Sequence, residues 1–147
     1  MLARFAGLQL RIPTGWGDIT TELPPGSPPT LARGAGIGAV QFSVARYQRG
    51  TKPDIGYDEL RSLFIDFCQT HTLGQIEPSV LPTENPKILC VGGAATVSGE
   101  FVAVWYLSNG IDAALVTYTS LKPESQITRE EAAEARAMVQ STDFDRE

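Results

Sequence analysis

The stretch Phe101-Val-Ala-Val-Trp-Tyr-Leu-Ser-Asn-Gly-Ile-Asp-Ala-Ala-Leu-Val-Thr-Tyr-Thr-Ser-Leu121 decides the fold. Two runs rich in β-branched and aromatic residues flank Ser108-Asn109-Gly110-Ile111. Asn-Gly between such runs predicts a two-residue type I′ hairpin turn, which needs φ > 0 at both central positions. With Asn109 and Gly110 as the turn, Ser108 would face Ile111, Tyr106 would face Ala113, Trp105 would face Ala114 and Phe101 would face Tyr118. Large side chains then meet small ones near the turn, a pairing that packs well across strands. One face carries Phe101, Ala103, Trp105, Ala114, Val116 and Tyr118; the other carries Val102, Val104, Tyr106, Ala113, Leu115 and Thr117. Both faces are largely apolar, which predicts a hairpin in mid-sheet, covered on both sides. The expected cover is the chain's own helices and loops, since monomers hide large apolar patches.

On the N-terminal side of the hairpin, Ile88–Val91 and Ala94–Ser98 read as strand, interrupted at Gly92-Gly93 by a bulge or tight turn. Residues 75–87 hold Pro78, Pro82 and Pro86 and read mainly as loop, with at most a short edge strand at Ser79–Leu81. Before them, Leu60, Leu63, Phe64 and Phe67 recur at helical spacing, predicting a core-packing helix from Asp58 that stops at Gly74. Nearer the N-terminus, Leu8, Leu10 and Ile12 alternate as a half-buried strand, Trp16–Leu23 reads as a second, and Ala39–Gln48 as a third. The segment Leu23-Pro-Pro-Gly-Ser-Pro-Pro-Thr30 is an extended surface connector. Gly34-Ala-Gly-Ile-Gly38 leads into a strand rather than opening a helix and lacks a Gly-Lys-Ser/Thr signature, so it reads as a flexible strand entry and not as a phosphate loop. After the hairpin, Thr128-Arg-Glu-Glu131 reads as the capping box of a final helix with an alanine-rich face. The expected architecture is α+β: a mostly antiparallel sheet of about six or seven strands flanked by two helices, in one domain spanning positions 1–147.

Composition narrows the functional classes. Twelve Lys and Arg against 17 Asp and Glu give a formal charge of −5. That balance disfavours nucleic acid or an anionic membrane as partner and matches a basic protein better. Cys68 and Cys90 each sit in an apolar run and are expected to be buried free thiols. The first ten residues lack the sustained apolar core of a signal peptide, and no run approaches a membrane span, so a cytoplasmic location is expected.

Candidate chemistry is sparse. His71 is the single histidine, three residues after Cys68. The cysteine belongs to the core-facing stripe, however, and the histidine to the helix end, where positive charge is favoured. Asp58-Glu59, Glu130-Glu131 and Asp143-Asp145 read as solvated groups at helix ends or in the tail, rather than carboxylates in a pKa-shifting pocket. Metal-ligand spacing is lacking, and no cofactor is expected. Aromatic and acidic residues remain as partner contacts, with Asp18, Glu22, Tyr47, Tyr106 and Asp112 as candidates and no catalytic residue.

Leu10-Arg-Ile-Pro-Thr-Gly-Trp16, Ala39-Val-Gln-Phe-Ser-Val-Ala45 and the long hairpin, in β-β-β-α-β-β-β-α order, resemble the Mog1/PsbP-like α/β/α sandwich. That resemblance implies a non-enzymatic binding module and carries over no catalytic residues. In size, charge and missing active site the chain also resembles bacterial immunity proteins, which neutralise a cognate toxin. The expectation is therefore a non-catalytic protein-binding domain, monomeric or homodimeric, whose partner is a basic toxin. A small-ligand or lipid-binding module of the same fold is the alternative, and an enzyme of unknown class the third.

Overall fold

The computed structural model describes residues 2–123 and 125–144; Asp145, next to Asp143 in the acidic tail, lies outside them. Ten strands and two helices follow in the order β1 (Ala3–Phe5), β2 (Leu8–Leu10), β3 (Trp16–Asp18), β4 (Thr30–Arg33), β5 (Gly38–Ala45), α1 (Tyr57–Thr70), β6 (Ser79–Val80), β7 (Leu89–Val97), β8 (Glu100–Ser108), β9 (Ala113–Ser120), α2 (Gln126–Gln140) and β10 (Asp143–Phe144). Seven strands form one antiparallel sheet in the order β3-β4-β5-β9-β8-β7-β6. Strands β1, β2 and β10 form a separate three-stranded sheet. The α+β class with a mostly antiparallel sheet and two helices is as expected, but β1, β4 and β10 were not legible in the sequence. The second strand is shorter than expected: the Asp18 carboxylate accepts from the Thr20 N–H at 2.9 Å and starts a 3-10 turn over Thr20–Glu22.

The central hairpin lies in mid-sheet, and its two faces carry the expected residues. Phe101, Ala103, Trp105, Ala114, Val116 and Tyr118 pack with α2 residues Ala135, Met138 and Val139 and with Leu8, Leu10 and Phe144 of the small sheet. Val102, Val104, Tyr106 and Leu115 lie on the opposite face, in the cluster of α1 residues Leu60, Phe64 and Cys68.

The register differs from the expected one by two residues. Ser108 pairs with Ala113, Trp105 with Val116 and Phe101 with Ser120, which leaves Asn109–Asp112 as a four-residue loop in which only Gly110 has positive φ. The Asn109 carboxamide oxygen accepts from the Ile111 and Asp112 N–H groups at 3.0 and 2.8 Å, and the Ser108 hydroxyl donates to the Asp112 carbonyl at 2.8 Å. These side-chain caps favour the longer loop over the type I′ turn. Two-residue loops with positive φ at both positions occur instead at Ala6-Gly7, between β1 and β2, and at Ser98-Gly99, between β7 and β8.

Strand β7 runs unbroken through Gly92-Gly93, where neither a bulge nor a turn interrupts the ladder to β8. The glycines are needed for packing. A Cβ on Gly92 would run into the Trp105 indole, and one on Gly93 would lie 2.9 Å from the Phe64 ring. An aromatic ring therefore rests on the bare backbone from each side.

Helix α1 ends before Gly74. Thr72 adopts φ 58°, and the Leu73 N–H donates to the Cys68 carbonyl at 2.8 Å, closing the C-terminal turn. The α2 cap also differs from expectation. Ser125 is the N-cap, accepting from the Ile127 N–H at 3.1 Å, and Thr128 and Glu131 are buried within the helix.

Candidate functional site

Glu131 is the residue whose environment departs furthest from its expected role. Its side chain is fully buried and accepts from the Tyr118 hydroxyl at 2.8 Å, the Gly38 N–H at 3.0 Å and the Ile37 N–H at 3.2 Å. Arg33 Nε lies 3.4 Å away, and the same guanidinium reaches Glu134 at 3.1 Å and Glu130 at 3.5 Å. The Trp16 indole N–H donates to Glu134 at 3.0 Å. Gly36 and Gly38 make the approach possible, because a Cβ on either would meet the Glu131 carboxylate or the Tyr118 ring. The glycine-rich loop is thus a cradle of backbone N–H groups whose anion is the chain's own carboxylate. Burial, and secondarily the bond to Glu131, push the Tyr118 hydroxyl pKa up. With its partners supplied internally, Glu131 joins α2 to the start of β5 and is closed to a substrate.

Cys68 and His71 do not meet as nucleophile and base. Cys68 is buried against Val91 and Val104, and burial pushes its thiol pKa up. His71 is exposed at the end of α1, its ring 4.1 Å from that of Phe67. Cys90 is buried too, its thiol pKa pushed up to about 12 by burial, and both thiols are free. Among the described residues, no group of three or more His, Cys, Asp or Glu side chains is arranged to hold a metal ion.

The other face of the sheet, expected to be covered in full, is covered only in part. Helix α1 lies over β7 and β8, and a helix about 10 Å wide covers roughly two strands spaced about 4.8 Å apart. Beside it, two troughs open over β9 and β5. One, of about 240 Å3, lies over Ser43, Ala45, Ala113, Leu115 and Tyr106, with Leu63 as its wall. The other, of about 490 Å3, lies over Gln41, Thr117, Thr119, Val102 and Glu100, with Phe67 and His71 as its wall. Gln41 and Ser43, like Leu115 and Thr117, are consecutive side chains on one strand face, so the troughs form one groove along α1. Leu63 and Phe67, expected in the core stripe, flank it. The buried side of the helix is Leu60, Phe64 and Cys68.

Aromatic rings and carboxylates set the character of the groove. Phe67 packs edge-on against Tyr106 with ring centroids 6.4 Å apart. Burial, with smaller contributions from Cys68 and Asp66, raises the Tyr106 hydroxyl pKa. Glu100 lines one end, Asp66 stands near Tyr106, and among the described residues no Lys or Arg lines either trough.

The five candidate contact residues fall in three places. Asp18 and Glu22 are exposed at the β3 end of the sheet. The Thr20 hydroxyl, donating at 2.6 Å, holds the Asp18 carboxyl below its usual pKa. Tyr47 and Asp112 meet: the buried Asp112 carboxylate accepts from the Tyr47 N–H at 2.8 Å, so Asp112 ties the hairpin loop to the segment after β5. Tyr106 alone lies in the groove.

No family model and no curated protein matches the chain. Among solved structures, a crystal structure of a Bacteroides thetaiotaomicron VPI-5482 protein is similar, with a TM-score of 0.57 at 13% sequence identity. The match covers 96% of this chain and 46% of that one, so the chain spans less than half the length of the structure it resembles. At that identity the likeness is one of fold. Among the described residues, no helix is long and apolar enough to cross a membrane.

Proposed function

We propose that the chain is a non-catalytic protein-binding domain, an immunity protein that acts in the cytoplasm and neutralises a basic cognate toxin by occlusion. The observation that carries this reading is the half-covered sheet face beside α1, where aromatic rings and the Glu100 carboxylate line a groove with no Lys or Arg among the described residues. Glu100, Asp66 and the overall charge of −5 would steer a cationic partner toward that face. Tyr106, Phe67 and Leu63 would supply the apolar contact once it is seated. A helix on each face of one antiparallel sheet supports placing the chain with the Mog1/PsbP-like sandwiches.

Co-expression with the product of the neighbouring gene tests the proposal. The expected result is a stoichiometric complex on size exclusion and protection of the host cell; neither complex nor protection would end it. The apolar end of the groove favours one competing reading, a small-ligand or lipid-binding module. A saturable thermal shift with fatty acids, absent with the protein partner, would select that alternative.

A further inference from the structure

Strand β7 presents an unpaired edge. Its neighbour β6 pairs with it at Ser79–Gly92 and Val80–Val91, the Leu81 N–H donates to the Cys90 carbonyl at 2.9 Å, and among the described residues no strand pairs with the outer side of Gly93–Val97. On the inner side the same five residues pair continuously with β8, so their outward N–H and C=O groups form a regular, unbulged row. Edges are ordinarily blunted by lysine, proline or a bulge, and Gly93-Ala-Ala-Thr-Val97 has none of these. Next to this edge, on the α2 side, a cleft of about 430 Å3 is walled by Ser79, Leu81, Phe101, Trp105 and Ala132. Arg136 also lines the cleft; Arg11, Arg33 and Arg61 are ion-paired, whereas Arg136 has no carboxylate partner among the described residues.

We propose that the β7 edge is a strand-addition site for an extended segment of a partner protein, one that carries an aliphatic residue and, two positions on, a carboxylate. The backbone of that segment pairs with Gly93–Val97. Alternate side chains of a strand point to one face, so the aliphatic one fills the cleft over Phe101 and Trp105 and the carboxylate reaches Arg136. A second copy of this chain is a poor occupant. Its own β7 would offer Ala94 and Thr96 on that face, too small to fill the cleft and without charge to meet Arg136. The site's cleft opens on the opposite sheet face from the groove beside α1, with only Val97 of the edge also lining that groove, and the proposal does not rest on the reading of it.

The test uses the full chain and a fluorescein-labelled peptide of about eight residues, alternating threonine and valine around a leucine, with glutamate two positions after it. Saturable anisotropy is expected. N-methylation of the alternate amides that face β7 abolishes it, while N-methylation of the outward amides does not. Exchanging the peptide glutamate for lysine weakens binding about tenfold or more, Arg136→Glu does the same, and the two changes together restore it. Binding that ignores both N-methylation patterns, or charge swaps that fail to compensate, overturns the proposal. So does an absence of saturable binding, or a concentration-dependent dimer of the free protein that the peptide dissociates.

Discussion

The two faces of the central sheet treat polar chemistry in opposite ways. On the α2 side, the Glu131 carboxylate is sealed and satisfied by Tyr118, Ile37, Gly38 and Arg33. On the α1 side, Gln41, Thr117, Thr119 and Glu100 line a groove that the single helix does not reach. The concentrated charge is therefore structural, and the surface available to a partner is chemically mild. A carboxylate held by three hydrogen bonds and an ion pair ties the fold together, whereas a strip of half-buried residues beside a helix is free to be covered.

Removing the Glu131 carboxylate should have the largest effect. Glu131→Ala leaves Arg33, Tyr118 and two backbone N–H groups without their shared acceptor and is expected to cost about 3–5 kcal/mol in urea unfolding. A loss under about 1 kcal/mol would erase the contrast between the faces. Gly92→Val comes next, because the new side chain meets the Trp105 indole; a destabilisation of about 1–3 kcal/mol is expected, with a change in tryptophan emission. In the groove the order of effects reverses. Thr117→Arg should change stability by no more than about 0.5 kcal/mol, while weakening binding of the proposed basic partner about tenfold by calorimetry.

The smallest effect is expected at acid pH. Hydrogen bonds from Thr20 and Arg61 hold the Asp18 and Glu77 carboxyls below their ordinary pKa values. A carboxylate lowered in the folded state contributes stability that is complete above its unfolded value, near pH 4, and is lost as the pH falls through the folded value. The double variant Asp18→Asn, Glu77→Gln should lower the urea midpoint slightly at neutrality, where the carboxylates contribute in full, and flatten its fall below about pH 4. An unaltered acid limb would show that these exposed pairs contribute nothing.

Which parts of this contrast were legible follows from periodicity. The two faces of the hairpin could be read because a strand alternates with period two, and a register error of two residues leaves every side chain on its proper face. The register itself was hidden, since it depends on whether Asn109 enters a type I′ turn or caps a longer loop, a choice made by the Ser108 and Asn109 side chains. Glu131 was misread because Thr128 three positions earlier suggests a helix start. Its spacing from Ala135 and Met138 places it in the buried stripe, and that was the available signal. The groove depends on what α1 leaves uncovered, which no local pattern encodes, although Leu63 and Phe67 were visible as apolar residues. Strands β4 and β10 are too short to show alternation, and β10 lies in a different sheet from its sequence neighbours.

At Gly92-Gly93 the partition between the two cores is a single layer of backbone, with the Trp105 indole against one side and the Phe64 ring against the other. A displacement of α1 that carried Phe64 with it would press on this backbone, and through it on Trp105, with no intervening side chain to absorb it. The emission of Trp105, on the α2 side, is therefore expected to respond to any ligand that shifts α1 from the other side.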